Sequence, residues 1–415
     1  MGVASQRIIA AIITAAIPVI ISAQTSASSQ TLRDRDPDLS GAKRLAAELQ
    51  SANFHSGSWY LLSRLRIADA GYTETAYIPT SEQSGGVSLT IEAPQRLYYV
   101  PHKKTVFTAE VVPGYNVFSE AGNENRLDYL VRGDAHFLLN HLYLDVYTMR
   151  ANQLRAHLEV NELAPTEDEE TGLAGEFKYS SRTSLQFAGR YHEQRFPDDR
   201  FAPGETPLAL LDRAERNARL SFVHKTFPLT SLFVAAEGSN YGFRFATYKD
   251  SARRYAGAGF LHDSGRTQFR VEAGPATLDF EDPTQQDFEG IVGSIRATRA
   301  NGRWGYKGTL ERDVAFAIVQ DNNYYIVDAA TAGVTYSATR RLHLRANVVG
   351  QQFDYDRPVA GDTRRDTITF SSVGFGYDLR KFGFGLDVGW YERDSTGEGD
   401  VDSGIRYVLH LSFTP

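Results

Sequence analysis

The side chains of this 415-residue chain that could do chemistry are ten histidines, 51 carboxylates and 44 lysines and arginines; cysteine is absent. Without cysteine there can be no disulfide framework, thiolate metal site, haem attachment, thiol nucleophile or lipidated N-terminal cysteine. His102, His136, His141, His192, His224 and His343 show no H-x-x-x-H motif and no paired histidine–carboxylate spacing, so no metal site and no cofactor is expected. His192 and Glu193 are adjacent and would fall on opposite faces of a strand. Hydrolysis in a barrel wall needs serine and histidine in mutual reach on neighbouring strands. His136 and His141 flank a short turn, but no serine motif stands beside them, and the chain reads as no enzyme. The acidic run Glu167-Asp168-Glu169-Glu170 could attract divalent ions and reads as a solvated loop. Gly383-Phe384-Gly385 suits a tight wall rather than a phosphate loop.

A second set of charges has a different pattern. Arg132, Asp134, Arg190, Arg270, Glu272, Lys307, Glu311, Arg345, Asp387 and Arg406 sit on alternate positions of apolar runs. Lining a water-filled passage, such groups would select solutes by charge and width. That role requires a sheet with one polar face. Leu342, Leu344, Ala346 and Val348 alternate with Arg341, His343, Arg345 and Asn347; Phe269, Val271 and Ala273 alternate with Gln268, Arg270 and Glu272. Residues 303–311 repeat the pattern. A two-residue period means strands with one apolar and one polar side.

The connections organise those strands. Short turns at 101–103, 139–141, 181–182, 263–265, 300–302, 337–339 and 380–381 alternate with longer polar stretches. The latter are 81–85, 119–125, 161–172, 197–213, 281–286, 356–363 and 394–402; connections near Asp250 and Asp321 are short on the loop side. The intervening runs number about 18, from 59–76 to 403–413. An even-numbered up-and-down meander with short turns at one end is the plan of an outer-membrane barrel. The expected fold is therefore all-β: a closed antiparallel transmembrane barrel over 59–415. Pro94, Pro113 and Pro275 fall inside proposed strands and belong at bulges or outside the hydrocarbon zone.

The rest of the chain agrees. Arg7 precedes the apolar run Ile8–Ile21 and small residues follow at 22–24, so residues 1–23 read as a signal peptide. Residues 24–58 form a periplasmic segment with a short helix, capped by Asp38 or Ser40, carrying Leu39, Leu45 and Leu49 and ending before Asn53. Net charge is −7, pI about 5.8 and mean hydropathy −0.36, which exclude a helical membrane protein and a nucleic-acid binder. The 22 Tyr and 24 Phe, many near strand ends, fit interfacial girdles. In the last strand Tyr407, Leu409, Leu411 and Phe413 alternate with Arg406, Val408, His410 and Ser412. This resembles the strand read by barrel-assembly machinery, although Thr414-Pro415 follow Phe413.

Ser181–Phe187, Pro228–Leu232 and Thr339–Leu344 introduce strands in similar ways; Asp69–Tyr72 closes the first strand and Gly86–Leu89 opens the next. In these features residues 59–415 resemble the outer-membrane β-barrel porin families of Gram-negative bacteria associated with exopolysaccharide production. The resemblance implies a channel in the outer membrane for polar solutes, with saccharides as cargo. Lipid, lipopolysaccharide and the assembly machinery are its expected partners. The alternatives are an occluded assembly-partner barrel of an envelope polysaccharide system and a membrane-embedded hydrolase. On this topology, tags in 197–213 and 161–172 label on intact cells and a tag at Asn301 does not; labelling at Asn301 instead inverts the barrel.

Overall fold

The structure is a computed structural model that describes residues 45, 48–73, 86–119, 125–157, 162–197, 207–318, 322–359, 362–396 and 402–415. Residues 1–23, read above as a signal peptide, Asp38, Leu39 and Ser40, the stretch 81–85 and most of 119–125 and 197–206 lie outside these residues.

Twenty-one strands follow one another along the chain. They are β1 Phe54–Ser56, β2 Trp59–Ser63, β3 Leu65–Thr73, β4 Gly86–Glu92, β5 Gln95–His102, β6 Thr105–Phe118 and β7 Arg126–Leu138. Next come β8 Leu142–His157, β9 Glu162–Lys178, β10 Thr183–Arg195, β11 Arg213–Phe227, β12 Thr230–Phe243, β13 Ser251–Asp263 and β14 Thr267–Phe280. The last seven are β15 Phe288–Asn301, β16 Trp304–Phe316, β17 Tyr324–Ser337, β18 Leu342–Val359, β19 Asp362–Asp378, β20 Phe382–Ser395 and β21 Asp402–Phe413. Every described pairing is antiparallel, and β21 returns to pair with β3, from Phe413↔Leu65 to Arg406↔Thr73. β2 and β3 make one stave interrupted at Arg64, and β4 and β5 make another interrupted at Ala93-Pro94. The result is a closed barrel of eighteen staves. No described helix is long and apolar enough to cross a membrane; strands do the crossing.

The prolines explain the interruptions. Pro113 accepts at its carbonyl from Ala93 N–H (3.0 Å) but has no N–H to return, and Pro94 accepts from Arg64 N–H (3.0 Å) with the same deficit. Both ladders therefore lapse at one level of the wall. Pro275 faces another lapse, where β13 and β14 leave 256–257 and 274–275 unpaired while keeping their register. None of the three sits at a bulge: 92↔114 and 95↔111 share one register across the Pro94 break.

One expected loop is a strand. Asn161–Gly172 lies almost wholly in β9, with the acidic run inside the sheet. Asp168 and Glu170 point inward and are buried, while Glu169 points outward and pairs with Arg150 at 3.3 Å. Alternation holds for charged residues as for apolar ones, so a carboxylate-rich segment can be a stave when one of its faces is already polar. Similarly, much of 356–363 is the β18–β19 hairpin.

Burial is inverted relative to a water-soluble barrel. Ile291 and Val373 are 62% exposed on the outside, whereas Glu215 and Asp366, on the inside, have no exposure. Leu220, Phe222, Leu232, Val234, Leu310 and Leu344 share the outer face. Near the short turns, outward rings form a girdle: Trp59 stacks on Tyr99 (4.4 Å), while Trp304 and Tyr336 (4.6 Å), Phe375 and Phe384 (5.6 Å) and Phe382 and Phe413 (5.0 Å) meet at a tilt. An apolar belt edged by aromatics is stable only against hydrocarbon. The chain is an outer-membrane β-barrel.

The inner face is close-packed in places. Tyr147 lies over Gly172, Phe233 over Gly259, Tyr255 over Gly257 and Phe288 over Gly290; a methyl group at any of these glycines would come within 2.7 Å of its ring or hydroxyl. Glycine beneath a ring lets the aromatic lie flat on the wall.

Leu310→Arg is expected to impair membrane folding by about 2–4 kcal/mol, the penalty for a cation facing lipid near the midplane. Glu311→Gln, on the other face, should fold as the parent does. Heat-modifiable gel mobility after folding into vesicles reads both; equal yields would reverse the faces.

Candidate functional site

All ten charged residues singled out above project from the inner face, and neighbouring strands bring most of them into ion pairs. Arg132 holds Asp134 through Nε at 2.8 Å and lies over the Tyr147 ring. Arg190 pairs with Glu215 at 2.9 Å and approaches Glu170 at 3.8 Å. Arg270 reaches Glu272 at 3.0 Å. Arg345 Nε meets Asp387 at 2.6 Å, and Arg406 pairs with Asp69 across the closing seam. Lys307 and Glu311 line the same face of β16, half-buried.

The sequence did not reveal how far the network extends. Arg219 bridges Glu237 (3.1 Å) and Glu272 (2.7 Å), and Arg253 bridges Glu237 (2.9 Å) and Asp313 (2.8 Å). Their side chains are between 1% and 3% exposed, so these charges lie against the wall with water excluded. The members come from β11, β12, β13, β14 and β16: Arg219 reaches past two strands to Glu272, and Arg253 past two to Asp313 on the inward β16–β17 hairpin. Period-two alternation marks each as inward-facing, but nothing in the chain specifies which pairs meet.

The same holds for histidine. Four inward histidines each face an aspartate: His136–Asp145 (3.0 Å), His192–Asp168 (2.8 Å), His343–Asp378 (3.3 Å) and His410–Asp387 (2.9 Å). All four partners lie on other strands. The one pairing visible in sequence, Asp134-x-His136 on one face, escapes a search for helical spacings.

A serine also lies in reach of a histidine. Ser337 Oγ is 3.2 Å from His343 Nδ1, and Asp378 is on the far side of the ring. Hydrolysis further needs donors for an oxyanion. Here the N–H groups of Ser337, Thr339, Arg341 and Leu342 are engaged in hydrogen bonds of the two hairpins. The constellation is a cross-strand pair, Ser337↔His343, at the β17–β18 turn.

At the loop end the barrel is not a simple tube. β16 pairs with β15 only from Asn301↔Trp304 to Gly293↔Arg312. Beyond Arg312 it stays with β17 but leaves β15, whose residues 288–292 have no described partner on that side. The described end of the hairpin, at Phe316 and Tyr324, folds inward. Phe316 meets the inward rings of Tyr241 (4.9 Å) and Phe243 (4.8 Å) edge-on, and Tyr324 meets Phe288 (5.8 Å) in the same way. Val314, Ile318, Leu278, Phe280 and Val292 complete this cluster with Leu208 and Leu211 of the 3₁₀ turn Pro207–Leu211. The opposite hairpin face, with Ala315, Tyr325 and Val327, packs on Phe353, Tyr355 and Ile368. Lys249, almost fully buried, donates to the Ala317 carbonyl, and Asn323 Nδ2 donates to Gln285 (2.5 Å).

At the turn end the short N-terminal helix docks inside. Leu45 packs with the inward Tyr98 and Val106, and Glu48 accepts from the Tyr98 hydroxyl (3.2 Å) and faces Arg96 (3.3 Å).

No family model and no curated protein matches the chain. Among solved structures it is similar to Acinetobacter baumannii OccAB3, with a TM-score of 0.51 and 9% identity over 86% of this chain and 99% of that one. It also aligns with a BenF-like porin from Pseudomonas fluorescens Pf-5 (TM-score 0.49, 10% identity, 86% and 99% covered). A bacterial polysaccharide outer membrane secretin aligns more loosely (TM-score 0.36, 11% identity, 85% and 98% covered). The OccAB3 likeness is one of fold.

Glu272→Ala is expected to destabilise the barrel by about 3–5 kcal/mol, because Arg219 keeps its charge and loses a partner out of water. Glu169→Gln removes an exposed partner and should change stability by about 1 kcal/mol or less. Urea unfolding from vesicles, followed by tryptophan fluorescence, compares them.

Proposed function

We propose that the protein is an outer-membrane channel for polar solutes, narrowed from the loop side by the inward β16–β17 hairpin. The observation that carries this reading is the ion-paired polar inner wall behind an apolar outer one. Eighteen staves enclose room for an aqueous lumen. The apolar core under the hairpin draws on β12 to β19 at the loop end, and the passage we propose runs past it along the rest of the wall. Outside that core Arg345, Arg406, Arg132 and Lys307 remain partly exposed. These are the groups that would select solutes by charge.

Saccharides are the cargo we favour. They are neutral or weakly anionic and rich in hydroxyls, and they suit a wall that mixes arginine, carboxylate and tyrosine. The resemblance to exopolysaccharide-associated porins adds to that choice. In this reading the outward Tyr407, Leu409 and Leu411 of β21 present the assembly signal, and lipid and lipopolysaccharide surround the belt.

Two observations favour an occluded assembly-partner barrel as the second reading: the buried hairpin at one end and the docked helix at the other. Single-channel recording in planar bilayers separates them. The channel reading expects discrete conductance steps, and a larger step for the double variant Phe316→Ala/Tyr324→Ala, which loosens the hairpin. Silence from both proteins, each verified as inserted, would leave the occluded barrel.

A further inference from the structure

The inner wall near the short turns holds a cluster that the channel reading does not use. Asp134 and His136 are on β7, and Asp145 lies directly across from His136 on β8. All three point inward and each is 8% exposed. One ligand atom from each lies within 4.8 Å of the others. We propose that Asp134, His136 and Asp145 bind a first-row divalent transition-metal ion on the inner wall of the barrel.

Three features support the assignment. First, Asp145 Oδ1 is buried and makes no hydrogen bond, although it sits 3.0 Å from His136 Nδ1. A buried carboxylate oxygen without a donor is costly unless a cation completes it. Second, the ring is oriented. His136 Nε2 is turned to Thr108 Oγ1 at 3.3 Å, which leaves Nδ1 facing Asp145, with the Tyr143 hydroxyl at 3.4 Å. A ligating histidine characteristically has its second nitrogen held in this way. Third, the charges do not cancel. Arg132 holds Asp134 and also acts on Asp145, so two carboxylates share one guanidinium.

One nitrogen and two carboxylates select the metal class. Imidazole favours Zn²⁺, Fe²⁺ or Ni²⁺, and carboxylates extend the set to Mn²⁺. Mg²⁺ and Ca²⁺ prefer oxygen-only shells. Ligand bonds of about 2.0–2.2 Å require donor atoms to approach one another to roughly 3.5 Å, so the side chains must draw in by about 1 Å. Three protein ligands leave a coordination position for water or a solute group. The site depends on wall geometry and not on conduction, so it stands or falls independently of the channel reading.

The test is calorimetric titration of the purified, folded full-length barrel with ZnCl₂ and with MnCl₂, using MgCl₂ as control. One saturable site is expected for Zn²⁺ or Mn²⁺, and none for Mg²⁺. Asp145→Asn and His136→Gln should each weaken binding at least tenfold, while Glu311→Gln leaves it unchanged. Absence of saturable binding to the parent protein overturns the proposal, as does parental affinity in both ligand variants, which would place the ion on other surface carboxylates. Should the variants not fold, X-ray absorption of the zinc-loaded parent decides. A first shell containing one imidazole nitrogen supports the site, and an all-oxygen shell overturns it.

Discussion

Hydrocarbon offers no hydrogen-bond partner, so every backbone N–H and C=O crossing it must be satisfied within the chain. The eighteen-stave closure answers that requirement, and the rest of the architecture depends on it. The seam between β21 and β3 is where the requirement is hardest to meet, because β21 stops opposite Leu65 while the first stave continues to Trp59. The small hairpin β1–β2, turning on Gly57 at φ 60°, supplies the missing edge by pairing 54–56 with 61–59. Pro94 and Pro113 break the ladder together at one level, and Pro275 faces a separate two-residue gap between β13 and β14.

Closure forces the polarity of the two faces, and the faces set the energetics. Lipid takes the leucines, valines and rings, leaving the charged half of each strand to settle inside. In a wide lumen those charges would be hydrated. Here Arg219, Glu237, Arg253, Glu272 and Asp313 are packed against the wall, and with Arg270 on Glu272 three cations meet three carboxylates. Such a network is weak evidence for stability, since each ion loses its hydration, but removing one member leaves a strongly unfavourable charge. The apolar clusters around Phe316 and Tyr325 lie inside the barrel as well, an island of water-soluble-type core within a membrane protein.

The sequence was most informative where physics is local. The runs between turns and loops counted about eighteen strands, as the closed barrel has, and alternation assigned the ten charged residues to one face because side-chain direction along a strand is fixed by its geometry. It misled at Glu167–Glu170, where consecutive charge resembled a solvated loop. Contacts between strands were out of reach. Arg219 meets Glu272 across 53 positions, and His410 meets Asp387 across a hairpin, through registers that no spacing records. The departure of β16 from β15 after Arg312 likewise follows from inward aromatics on four different strands.

The seam also fixes an order in time. Asp69 and Arg406 are 337 positions apart, so no part of the closing ladder can form until the last strand has been synthesised. The ion network from β11 to β16, by contrast, joins residues no more than 60 positions apart. Contacts of short separation form early and those of long separation late, because loop-closure entropy grows with the span. The middle of the chain can thus acquire its native register as an open, curved sheet while both its edges are still unpaired. That intermediate exposes two long strand edges and an apolar outer surface to water, which makes the interval before closure the period of greatest aggregation hazard for this protein.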